Sequence, residues 1–152
     1  MSYQEKRSLV SIATTLLVSS IYLSYMLGRF PGADVPIVEL LRYWGAVILL
    51  SIPVFILATI FVTILFVILN TIVTREGEPK ITDERDKLIE LKASRNGMYV
   101  FMVGIMLAMT PLLIDLPVST MLSAMFLTLY GMGMLSSVVS DVSQFLYYRR
   151  GV

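Results

Sequence analysis

Four apolar stretches long enough to cross a bilayer divide this chain of 152 residues, and they constrain its fold more than any other feature. They run from about 9 to 27, 44 to 73, 98 to 114 and 119 to 147. An α-helix of about 20 apolar residues spans the ~30 Å of hydrocarbon, where every backbone polar group needs a partner within the chain. The expectation is an all-α integral membrane four-helix bundle of two helical hairpins, forming one membrane domain over 1–152. The first stretch is read as a retained span, since it is too long for an ordinary signal-peptide core and no clear cleavage site follows it.

The breaks between spans are chemically distinct. Pro31, Gly32 and Pro36 interrupt the chain after the first span, and Ile37–Tyr43 reads as a short interfacial turn. Trp44 stands where an aromatic interfacial anchor is expected. The second span is long, so it must tilt or project, and Pro53 offers a kink. Gly77 and Pro79 mark its end, and the polar loop 74–97 follows. Within that loop, Thr82 or Asp83 serves as a helix cap before an acidic first turn. Leu88, Leu91 and Ile81 give a narrow apolar stripe, which predicts a short cytoplasmic amphipathic helix between spans two and three. Asn96-Gly97 then leads into the third span. The external turns Asp34-Val-Pro36-Ile and Asp115-Leu-Pro117-Val resemble each other, either as a relic of duplication or as two independent helix breaks.

Basic residues set the expected orientation. Lys6, Arg7, Arg75, Lys80, Arg85, Lys87, Lys92, Arg95, Arg149 and Arg150 fall on one side of the four spans; only Arg29 and Arg42 fall opposite. The positive-inside rule places both termini and the 74–97 loop in the cytoplasm.

Composition narrows the chemistry. The chain has no cysteine and no histidine, so thiol chemistry, thiolate metal sites and imidazole bases are excluded. Its serines and threonines lack a histidine base, and Asp115 and Asp141 lie near opposite faces, which argues against an aspartyl dyad. No enzyme and no cofactor are expected. A net charge of +1 gives no general attraction to nucleic acid, so no direct nucleic-acid binding is expected. The acidic residues of the loop are balanced by bases and lack EF-hand spacing, which favours a solvated, salt-bridged helix over a metal site.

Three groups of residues remain. Gly133, Ser137 and Asp141 share one face of the fourth span, with Gln144 and Tyr148 continuing it; Gly133 and Ser137 are expected to pack against Gly104 and Ala108 of the third. Asp141, with Gln144, Asn70 and Arg95 at similar depth, is the candidate intramembrane polar site. Its functional reading is a proton- or cation-binding carboxylate; its structural reading is a boundary carboxylate paired with Arg95, Lys92 or an N-terminal base. The third group is a candidate cytoplasmic docking surface of Asp83, Glu84, Arg85, Asp86, Lys87, Glu90 and Lys92 with the Arg149-Arg150 tail.

The segment Asp83-Glu-Arg-Asp86, Ile89, Lys92-Ala93, followed by a span, resembles the DERD…I…KA signature of small uncharacterised prokaryotic four-span membrane proteins. The ending Phe145-Leu-Tyr-Tyr-Arg-Arg-Gly151 is similar to theirs as well. The resemblance covers the second half of the chain and implies a prokaryotic cytoplasmic membrane. Some such proteins are encoded beside helix-turn-helix regulators, which implies a cytoplasmic regulatory protein as partner. Besides the lipid bilayer, the expected partners are further copies of the chain or a larger protein complex. The alternative expectation is a small oligomeric transporter or channel subunit with Asp141 as its coupling residue.

Overall fold

A computed structural model of the protein describes residues 3–32, 34–74 and 84–150. The described chain is all-α: α1 (Tyr3–Gly28), α2 (Ile37–Thr74), α3 (Glu84–Ala108), a 3-10 turn (Thr110–Leu113) and α4 (Val118–Arg150). All four α-helices are long and apolar enough to cross a membrane. At 1.5 Å per residue, the 38 residues of α2 extend roughly 57 Å, well beyond the ~30 Å of hydrocarbon. The helix continues through Pro53.

α1 and α2 form one antiparallel hairpin, and α3 and α4 the other. Tyr22 donates a hydrogen bond to the Val47 carbonyl and Tyr43 to that of Met26, which sets the α1–α2 register. The hairpins meet mainly through α1 and α4, with a smaller α2–α4 contact. Among the described residues, α3 packs on α4 and the 3-10 turn and on neither α1 nor α2. The arrangement is therefore less symmetric than a closed four-helix bundle, with α4 as the shared spine.

Several expected boundaries differ. Ile37–Tyr43 forms about the first two turns of α2 rather than a separate interfacial turn. Pro36 explains this, because its carbonyl accepts the Glu39 and Leu40 amides at 2.9 and 3.2 Å and so starts the helix. Pro117 likewise accepts the Met121 amide at 2.9 Å at the start of α4. The similar Asp34 and Asp115 turns thus share a helix-starting device. Gly32, with φ of 94°, supplies the left-handed backbone needed between α1 and α2.

The loop expected over 74–97 also changes. From Glu84 onward it belongs to a single helix continuing to Ala108, so the described residues contain no separate amphipathic helix. Asp83, the Thr82 and Asp83 cap positions, Ile81, Gly77 and Pro79 lie outside the described residues. The helix passes straight through Asn96-Gly97, because Gly97 is there for close packing. A Cβ on it would stand 2.8 Å from the Ser136 carbonyl oxygen and 3.1 Å from Ser140 Cβ.

Trp44 is a core residue rather than an interfacial anchor, at 2% exposure. It clusters with Met26, Leu40 and Val47 where α1, α2 and α4 converge. Its ring stacks on Phe126 at 5.8 Å between centroids, and its indole N–H donates to Ser123 Oγ at 3.3 Å. An indole N–H within the membrane needs an acceptor, and Ser123 supplies one.

Gly97→Ala is expected to lower stability by about 1–3 kcal/mol through overpacking, read by denaturant unfolding in detergent. Gly45→Ala is the control, since open space surrounds that position. It should be neutral or slightly stabilising, as alanine favours helix.

Candidate functional site

Polar side chains inside the spans collect on α4 in two seams. The first faces α3. Ser136 Oγ donates to the Gly97 carbonyl at 2.7 Å, and Asn96 Nδ2 donates to Ser143 Oγ at 3.2 Å and Tyr147 Oη at 3.0 Å. On α3, the buried residues Ile89, Ala93, Gly97, Gly104 and Ala108 form the matching stripe. Gly104 lies so close to the Met132 side chain that a Cβ there would overlap it.

Gly97 and Gly104 of α3 face α4, and the opposing residues are Met132, Ser136 and Ser140. The expected partners are displaced by one position. Gly133 makes only an ordinary approach to Phe101, at 4.0 Å from the site of a Cβ. Ser137 is exposed and returns its hydroxyl to the Gly133 carbonyl at 3.3 Å. Neighbouring residues on a helix are turned by about 100°, so a one-residue displacement selects a different face.

The second seam faces α1. Asp141 Oδ2 accepts a hydrogen bond from Ser11 Oγ at 2.9 Å and a longer one from Thr15 Oγ1 at 3.4 Å. Its partners are thus hydroxyls of α1, not Arg95 or Lys92, both of which are exposed on α3. Further along, Ser19 hydrogen-bonds the Thr15 carbonyl and contacts Met134 Sδ. Ser8, Ser11, Thr15 and Ser19 occur at intervals of three and four residues, one helix face. That stripe was the available signal for the Asp141 partners, and reading only the fourth span misses it.

Beside this seam, at the end of the molecule that carries both termini, is a cavity of about 240 Å³. Gln4, Arg7, Ser8, Ser11, Thr14 and Thr15 of α1 form one wall. Thr59 and Thr63 of α2 face it, with Asp86 and Glu90 of α3 and Gln144 and Tyr148 of α4 completing the lining. Among the described residues, apolar side chains enter at Val10, Val62 and Phe66. Tyr148 and Gln144 at the end of α4 share this lining with Asp86 at the start of α3.

Of the expected intramembrane set, the structure brings Gln144 to the cavity and Asp141 to its α1 wall. Asn70 is half-buried one turn beyond Phe66 on α2 and makes interactions of its own. Among the expected docking residues, Glu84, Arg85, Lys87, Glu90 and Lys92 are exposed on the first turns of α3, as are Arg149 and Arg150 at the end of α4. Asp86 is half-buried and turns toward Tyr148. No group of three or more metal-ligating carboxylates occurs among the described residues.

Replacing Ser11 with Ala and Thr15 with Val together removes both donors from Asp141. Stability should fall by about 1–3 kcal/mol in denaturant unfolding, the penalty for leaving a buried acceptor unpaired. Adding Asp141→Leu to that pair should recover most of the loss, because no polar atom then remains stranded.

No family model matches the chain, and no curated protein or solved structure shows significant similarity to it.

Proposed function

We propose that the chain is a non-enzymatic, multi-pass protein of the prokaryotic cytoplasmic membrane that acts through protein contacts at its terminus-bearing end. The observation that carries this reading is the antiparallel α3–α4 pair. It puts the exposed charges Glu84, Arg85, Lys87, Glu90 and Lys92 at the same end as Arg149 and Arg150. Close packing at Gly97 and the Asn96 hydrogen bonds hold the two helices in fixed register. Charges of both signs on a rigid support favour a partner with a complementary pattern, since such patterns select partners and steer encounter. The basic residues favour a cytoplasmic position for this end. The resemblance to four-span proteins encoded beside helix-turn-helix regulators favours a cytoplasmic regulatory protein as the partner.

A second reading, a small oligomeric transporter or channel subunit, is favoured by the polar cavity. Ionisable and hydroxyl-bearing residues within membrane spans commonly mark solute pathways.

The test uses the full chain in its native membrane. Cysteines at Lys87 and Arg150 should react with a membrane-impermeant maleimide only after the membrane is opened. Replacing Glu84, Arg85, Lys87, Arg149 and Arg150 with Ala should abolish co-purification of the partner while insertion is retained. Undiminished co-purification, or labelling from outside the intact cell, would contradict the proposal.

A further inference from the structure

The cavity on the α1 side has a specific hydrogen-bonding character. A hydroxyl has one proton to donate and lone pairs that accept. Ser11 and Thr15 direct their protons to Asp141, and Thr14 directs its own to the Val10 carbonyl at 2.8 Å. All three side chains line the cavity. With their protons committed elsewhere, they present oxygen lone pairs to whatever occupies it. Among the described residues the charged lining adds Asp86 and Glu90, two carboxyls against one guanidinium, Arg7. Asp141 supplies a further carboxyl one hydrogen bond behind the wall.

We infer that this cavity binds a small monovalent cation, an alkali ion or an ammonium, against the Ser11–Thr14–Thr15 wall of α1. Two physical conditions favour that class. An ionised carboxylate within a membrane span is costly unless an opposite charge or a preorganised set of donors accompanies it. Asp141 has the donors, and a cation at the wall supplies the charge. The volume of about 240 Å³ is far above the ~10–15 Å³ that one water requires, so the ion keeps part of its hydration shell. A divalent centre is disfavoured, because hard divalent ions gather several carboxylates and the described residues contain no such group. The site does not require transport, since a bound cation serves a docking protein equally well as a structural or sensing ion.

Thermal unfolding of the full chain in nanodiscs tests this, with sodium, potassium or ammonium chloride replacing N-methylglucamine chloride at constant ionic strength. At least one cation should raise the melting temperature saturably, and Ser137→Ala, an exposed hydroxyl on α4, should respond as the unaltered protein does. Asp141→Asn should weaken the apparent affinity at least tenfold. Should that variant fail to fold, Ser11→Ala and Thr14→Val decide the matter, each weakening binding at least threefold. No saturable shift with any of the three cations, or an unchanged affinity in the folded variants, would overturn the inference. Proteoliposome flux addresses the transporter reading separately: saturable binding without flux keeps the site and removes that reading.

Discussion

Hydrocarbon offers no hydrogen bonds, so a polar atom that the spans carry into it is costly unless it finds a partner within the protein; among the described residues of α4, Ser136, Ser143 and Asp141 have one and the buried Tyr130 hydroxyl does not. That constraint organises the molecule around α4. Toward α3, α4 offers Ser136, Ser143 and Tyr147 to the Gly97 carbonyl and the Asn96 amide. Toward α1, it offers Asp141 to Ser11 and Thr15. The two seams join α4 to α3 and α1, and among the described residues α3 packs on α4 and the 3-10 turn alone. In a bilayer the apolar surfaces gain little by meeting each other, so close approach and hydrogen bonding must carry association. Gly97 and Gly104 supply the first and the seams the second.

The two ends of the molecule differ in kind. At one, Met26, Leu40, Trp44 and Val47 close a dense apolar cluster, with Tyr22, Tyr43 and Phe126 around it. At the other, the helices leave a polar cavity whose lining includes Arg7, Asp86 and Glu90. A dense end fixes the helix spacing, and the open end leaves polar groups accessible from one side. This polarity is compatible with a docking platform beside a small binding site, since the platform residues and the cavity share Glu90 and adjoin at Tyr148.

Much of this was legible in the sequence because it depends on local composition. Apolar run length located the four helices, and the small residues Gly104 and Ala108 are buried on α3. What depends on rotation about a helix axis was not legible. The face of α4 that meets α3 carries Met132, Ser136 and Ser140, one position before Gly133, Ser137 and Asp141, and both sets repeat every four residues. Asn96-Gly97 reads as a helix break because glycine and asparagine so often end helices. Here the missing side chain admits the Ser136 carbonyl instead. Trp44 shows the same ambiguity: an indole at a span boundary suits the headgroups or a polar acceptor within the protein, and Ser123, far away in sequence, decides between them.

The α1–α4 seam is the larger contact between the two hairpins, and the chain has no cysteine to confuse a cross-linking experiment. Cysteines placed together at Ser11 and Asp141, oxidised in native membranes, should form an intramolecular disulfide in high yield. The pair Ser11 and Asn96, which lies across α4 on opposite seams, should not. Efficient bridging of the second pair, or none of the first, would contradict the arrangement of α1 and α3 on separate faces of α4.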